Sequence, residues 1–454
     1  MSIAYQNLLD TLMRRGGDLG EIFHEENQTL SLVLDDNRLE EAVGGVETGV
    51  GLRLIGRGSQ AYTYGNDLGN KALEKLAASL SGRRNGRPGN AAPPAFQSAG
   101  SGEMQKSPLK ADLADKLALV RQVNQAARET DKRVRQVKVR YGETSRRITI
   151  ANSWGVAARE ERAQVFLAVQ CVAEDKGLLQ TGYEAVGGSS GWEMLALAQE
   201  AAEKAAERAA RLLFARPAPG GSMAVVLAAS AGGTMIHEAV GHGLEADLVW
   251  ERLSVYAGRL GLQVASPLIS VVDDGTLPAW RGSSSFDDEG APTGRTLLIE
   301  NGRLLTYMTD WLNAGRLNLK QSGNGRRESY RHQPVCRMTN TMILPGGDDP
   351  EAIVAATPSG LLVTKMGGGQ VNTVNGDFVF EVAEGFLLEK GKKGEMVRGA
   401  TLVGNGPQVL REIDRVGTDL GAAIGTCGKN GQGVPVGDAQ PTLRIPRMVV
   451  GGQN

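Results

Sequence analysis

The chain has 454 residues, too many for one ordinary hydrophobic core, so two or three domains are expected. Its 41% hydrophobic and 22% charged content describes a globular protein and excludes a disordered one. A formal net charge of -1 argues against nucleic acid or an anionic membrane as the main partner, because neither is attracted to the surface as a whole.

In chain order, residues 3–15 carry apolar positions at helical spacing and stop at Gly16-Gly17. GEIFHEENQTLSLVLDD, GGVETGVGLRLIG and SQAYTYG then alternate apolar and polar residues, the pattern of antiparallel strands with one wet face. NKALEKLAASLSG reads as a short amphipathic helix. Residues 83–107, rich in Gly, Pro, Ala and Ser and without a period, are expected to form a mobile loop. A helix follows over 108–131, then strands in VRQVKVRYGETSRRITIANS and ERAQVFLAVQCVAEDKG, then a long Ala/Glu/Arg helix over 192–215. The Pro/Gly break after it places a boundary between an N-terminal domain, 1–219, and a C-terminal domain, 220–454.

The second half opens with a buried strand, SMAVVLAAS. Strands dominate beyond Trp250, among them LISVVDDG, RTLLIENGRLLTYMTD and DFVFEVAEGFLLEKGK. Asn301-Gly302 between apolar runs is a hairpin signal. The fold class expected is α+β: antiparallel strands packed with helices, then a β-rich C-terminal domain carrying a distorted helix. The distortion is demanded by the motif that carries the chemistry.

Two of the four histidines lie in HEAVGH, residues 237–242. Two imidazoles around a glutamate can hold a metal ion and activate its water. His237 and His242 are five residues apart, about 140° around a regular α-helix, which would splay them. Either a π-bulge restores a common face, or the helix ends at Gly241 and His242 comes from the turn. Imidazole ligands suit zinc, and a catalytic zinc has three protein ligands and an open position. Glu238 is the expected general base. Glu245, Asp247 and Cys427 are open as third ligand; Cys427 lies in GTCGK, where a nearby cation favours the thiolate. Cys171 reads as core, and nothing beside Cys336 suggests chemistry. His332 is weighed as an oxyanion stabiliser and His24 as structural. Asp273-Asp274 and Asp287-Asp288-Glu289 read as turn chemistry beside glycine. Residues 367–369, three glycines, are either a tight loop or a place where a substrate backbone comes close.

Several blocks in order carry a family resemblance: TGVGLRLIGRGSQAYTYGNDL (48–68), HEAVGHGLEAD (237–247), VVDDGTLPAWRGS (271–283), FDDEGAPTGRTLLIENG (286–302), SGNGRRESYRHQPVCRMTN (322–340), GGGQVNTVNGDFVFEV (367–382) and TCGKNGQGVPVGDAQPTLRI (426–445). On these the chain resembles the TldD/PmbA metalloproteases, on the side of their TldD-like catalytic subunits, because it keeps the HExxxH pair. The resemblance implies a zinc-dependent peptidase of short or unfolded peptides, with His237, His242 and Cys427 as metal ligands and Glu238 as catalytic acid and base. It implies a dimer with a TldE-like subunit or with itself. A noncatalytic peptide-binding subunit with a structural metal, and a small-molecule amidase, are the competing readings. Three scattered cysteines, no signal-like apolar stretch at the start and no run of eighteen apolar residues lead to the expectation of a cytoplasmic protein.

Overall fold

A computed structural model describes residues 3–81, 92–99 and 106–452. The first half is built on one sheet. In chain order its elements are α1 (Tyr5–Met13), β1 (Leu19–Asp35), β2 (Arg38–Gly56), β3 (Ser59–Gly65), α2 (Asn70–Ser81), β4 (Ala92–Ala99), α3 (Leu113–Thr130), β5 (Val134–Asn152), β6 (Trp154–Asp175), β7 (Leu178–Gly188) and α4 (Ala198–Leu212). The strand order is β3-β2-β1-β5-β6-β4, with β7 also on β6. β6 is long enough for two neighbours on one edge: β4 runs parallel beside residues 154–160, and β7 antiparallel beside 165–175.

Residues 83–107 therefore depart in part from the expected loop. Residues 92–99 form β4, and residues 82–91 and 100–105 lie outside the described residues. The Pro93-Pro94 pair hid this strand, since it breaks the alternation that marks the others. The helix read over 192–215 is a single 3-10 turn, Trp192–Leu195, followed by α4.

The helices supply the apolar cover. Val120, Val123 and Ala127 of α3 and Ala202, Ala205 and Ala209 of α4 pack on Val137, Val139, Val165, Leu167 and Val169 of the sheet. The alanine face lets α4 come close: a Cβ at Gly182 would stand 1.9 Å from the carbonyl oxygen of Ala205. α1 and α2 bury Leu9, Leu12, Leu73 and Ala77 against Ile22, Leu52 and Leu54.

The second half holds two larger sheets. The six-stranded one runs in the order Arg303–Leu304, Arg295–Glu300, Val271–Asp274, Asn340–Ile343, Gln432–Gln440, Gly421–Lys429, so the last of these is an edge strand. In the eight-stranded one, the strands Ser359–Val371, Gly221–Leu227, Leu443–Gly451, Thr401–Asn405 and Asp377–Glu389 pair in sequence, and the last pairs back onto the first. These five thus close a ring. Hairpin turns set the registers. Asn301-Gly302 and Asn430-Gly431 each place both residues at positive φ (47° and 81°, 52° and 72°), the two-residue turn whose twist matches paired strands. The second of these puts Cys427 opposite Val434.

Candidate metal centre

Residues 234–244 are helical in three successive windings: α over Thr234–Ile236, π over His237–Gly241, and 3-10 over His242–Leu244. The His242 amide donates to the His237 carbonyl, five residues back, which supplies the surplus residue per turn that the motif demands. Met235, Ile236, Ala239 and Val240 anchor the segment in a core shared with strands of both sheets. Its start is fixed by the Gly233 amide, which donates to Asp438 Oδ1 at 2.9 Å. Its end is fixed by contact: a Cβ at Gly241 would stand 2.0 Å from Met338 Sδ, and one at Gly243 2.7 Å from the Tyr256 ring.

This winding brings His237 and His242 beside Cys427. One donor atom from each lies within 4.8 Å of the others. The two rings are 5.1 Å apart and nearly perpendicular, at 89°. Cys427 Sγ is 3.4 Å from His242 Nε2. Nitrogen and sulfur donors on one tetrahedral zinc stand about 3.3–3.6 Å apart, so the cluster is close to the size such an ion requires. His237 Nδ1 is buried with no hydrogen-bond partner among the described residues. The donor set, two imidazoles and a thiol, thus fits a borderline-soft divalent metal.

The electrostatics favour the ligating form of Cys427, the thiolate, whereas a metal at the histidines must displace their protons. Burial pushes the Cys427 thiol up, but hydrogen bonds and charge from His237 and His242 outweigh it and hold the pKa at about 5. Burial lowers His242, yet the Glu245 carboxylate, 3.0 Å from its Nδ1, holds it well above the ordinary value. Glu245 itself is fully buried. Burial raises its pKa, but Lys429 and His242 bring it to about 2. Lys429 Nζ donates to Glu245 Oε2 at 2.9 Å, to Asp247 Oδ1 at 2.7 Å and to the Cys336 carbonyl at 2.9 Å. Glu238 is half-buried beside the cluster; burial raises its carboxyl, against the pull of both histidines.

Glu245 and Asp247 therefore lie outside the three-donor cluster. One orients His242, and both hold Lys429, which joins the cysteine hairpin to the helix. Lys429 was expected as the cation beside the thiolate; its ammonium is bound to carboxylates instead. A second clamp comes from a segment in which the sequence signalled no such role. Arg337 donates to the carbonyls of Cys427 and Gln432, and Arg326 to those of Met338 and Pro435. Arg281 donates to the Gly425 carbonyl at 3.2 Å.

The remaining residues singled out in the sequence serve elsewhere. His332 Nδ1 is 3.0 Å from Ser329 Oγ, and His24 Nδ1 is 3.1 Å from the Tyr5 hydroxyl. Cys171 is buried in the first sheet's core, and the Cys336 thiol donates to the Met308 carbonyl. Asp273 accepts from Asn324, Thr339 and Thr341; Asp287 accepts the amides of Glu289, Ala291 and Gly325, the turn role expected of it. Asp288 and Glu289 reach arginines of the first sheet, Arg162 and Arg53.

Comparison with known proteins agrees with this architecture. The sequence matches PmbA/TldA metallopeptidase domain 1 over residues 20–82, the central domain over 106–213 and the C-terminal domain over 220–452. It is 36% identical to the Haemophilus influenzae protein named metalloprotease TldD homolog, over 99% of this chain and 96% of that one. A Methanothermobacter thermautotrophicus protein named metalloprotease is 33% identical, over 94% of each chain. Among solved structures, TldE from Thermococcus kodakarensis shares the fold with a TM-score of 0.76 at 18% identity, over 99% of this chain and 100% of that one. The chain belongs to the PmbA/TldD metallopeptidase family.

Proposed function

We propose that the protein is a zinc-dependent peptidase that hydrolyses short or unfolded peptides. The observation that carries this reading is the convergence of His237, His242 and Cys427 beside Glu238, in a chain whose relatives are named metalloproteases. Among the described residues the cluster offers three donors, the number typical of a catalytic zinc; a structural zinc takes four. Zinc held there would act as a Lewis acid toward water and a peptide carbonyl. His237, His242 and Cys427 would hold it, and Glu245 fixes the ring of His242 so that Nε2 faces the thiol. Glu238 takes the proton from the attacking water and gives it to the departing amine. Its half-buried carboxyl is raised by burial, against the pull of both histidines, which makes it a stronger base for that exchange than an exposed glutamate.

An extended substrate is supported by the shape beside the helix. A cavity of about 610 Å³ is lined by Thr234, by Ala423 and Ile424 of the edge strand, and by Gly367 and Gly368 of the strand Ser359–Val371. Glycines there let a peptide backbone come close, as in strand addition. Pairing with a TldE-like subunit or a second copy, and a cytoplasmic setting, complete the proposal. The TldE fold likeness supports the first, and three free, buried cysteines accord with the second.

The deciding experiment incubates the protein with a mixed peptide library under zinc and under chelator. Cleavage is expected with zinc alone. Glu238→Gln is expected to keep zinc and lose at least about 100-fold in rate. Full cleavage by that variant overturns the assigned mechanism. Cys427→Ser is expected to lower zinc content by elemental analysis; unchanged zinc would remove the thiol from the ligand set.

A further inference from the structure

The cysteine hairpin has a second face. Alternate residues of a strand point to opposite sides, so Cys427 faces the histidines and Thr426 faces away from them. On Thr426's side lies a separate cavity of about 240 Å³, between the hairpin and the first sheet. Its lining includes five arginines, Arg146, Arg162, Arg281, Arg326 and Arg327, against the carboxylates of Asp288 and Glu328.

The neighbours do not neutralise these cations evenly. Arg162 pairs with Glu160 at 2.9 Å and Asp288 at 2.6 Å, and Arg327 with Glu21 at 2.5 Å. Arg146 pairs with Glu25 at 2.6 Å through Nε, but its Nη2 is buried with no acceptor among the described residues. Arg281 and Arg326 have no carboxylate partner among the described residues. Their bonds go to carbonyls: Gly425 for Arg281, Met338 and Pro435 for Arg326. Arg281 Nη1 is buried and has no acceptor among the described residues. Glu328 is engaged by the Gly433 amide. Burial depresses both guanidinium groups; at Arg326 the charge of Asp288 opposes this, but Arg337 and Arg162 add to it and the pKa is brought to about 10. Cations left this way in a low-dielectric cavity are stabilised by an incoming anion.

We propose that this cavity is a subsite for a carboxylate of the bound peptide. The choice of ligand rests on the peptidase reading above. The planar fork of a guanidinium matches a carboxylate, and the cavity is the size of one side chain or one chain end. The carbonyls of Gly425 and Cys427 are taken by Arg281 and Arg337. Arg337 is fully buried, so a peptide lying along the edge strand meets the half-buried Arg281 there in place of the Gly425 carbonyl. The carboxylate comes either from the peptide's C-terminus or from an Asp or Glu side chain.

The test is binding of fluorescent peptides to the full-length, zinc-loaded Glu238→Gln protein, read by anisotropy. One sequence is made in four forms: free acid or amidated, each with an internal Glu or Gln. At least one carboxylate source is expected to tighten Kd about tenfold over the neutral form, and sulfate to compete that gain away. Which source does so identifies the ligand. Arg281→Gln is expected to reduce the gain to about twofold or less, Arg281→Lys to restore part of it, and Arg331→Gln, outside the cavity, to leave it intact. Equal Kd for all four peptides overturns the subsite, as does full discrimination in Arg281→Gln. Should Arg281→Gln fail to fold, the four peptides and sulfate on the parent protein still decide. A carboxylate preference without any cleavage by the wild-type protein sinks only the peptidase reading; cleavage without the preference sinks only the subsite.

Discussion

Glu245 shows how far a single side chain can be read in advance. Its position three residues after His242 made it a plausible third ligand, and spacing alone cannot separate a carboxylate that binds metal from one that binds the ligand's far nitrogen. The geometry separates them: Glu245 sits on His242 Nδ1 and on Lys429. Partners of this kind fix ring orientation and raise ligand basicity. Glu245→Gln is therefore expected to weaken zinc about 10–100-fold in a chelator competition and, because it also breaks a buried ion pair with Lys429, to lower the melting temperature of the metal-free protein. An unaltered zinc affinity would strip Glu245 of that role. HEAVGH was legible because two histidines at that spacing require a particular distortion. Cys427 was one of three candidates on its local surroundings, and only the family resemblance set it above Glu245 and Asp247, since 185 residues separate it from His242 and no local pattern links them.

At the scale of elements, the π winding is held by close packing as much as by its own hydrogen bonds. Gly241→Ala would drive a methyl into Met338, which is fully buried. The expected result is about 1–3 kcal/mol of destabilisation in urea, together with loss of zinc, because the turn that carries His242 must shift. Normal stability with full zinc content would show that the glycine is dispensable. Local signals served the elements well where they were strong. Asn301-Gly302 turns a hairpin as read, and NKALEKLAASLS is the helix α2. They failed where the cause is distant. β4 owes its strand to pairing with β6, and the ring in the second half closes through register matches such as Leu361 with Val225, which no short window contains.

Across the whole molecule, buried ion pairs join the first sheet to the second half. Arg53 of β2 bonds Glu21 of β1 at 2.5 Å and Glu289 at 2.6 Å, and Arg327 reaches back to the same Glu21. Arg53→Met would leave buried carboxylates short of a partner, with an expected loss of about 3–5 kcal/mol in urea denaturation. A loss below about 1 kcal/mol would mean the junction relies on other contacts. Asp310, in the same region, is raised to about 7 by burial and by Glu289. Its folded-state pKa exceeds the unfolded one, so the folded state holds the extra proton. Stability from this group is present at low pH and is lost as pH rises from about 4 through about 7. Asp310→Asn keeps an acceptor for the Asn313 amide, so its melting temperature relative to wild type should rise between pH 5 and pH 8; no such change would refute the linkage. The α+β class and the strand-rich second half were readable from periodicity, whereas this junction was not, because its partners lie up to 306 residues apart. The wide separation within the metal centre has its own consequence for biosynthesis. A ribosome that has released HEAVGH must add a further 185 residues before the thiol appears. Unfinished chains thus carry only two of the three donors, and on the peptidase reading proposed above a nascent copy lacks a complete site.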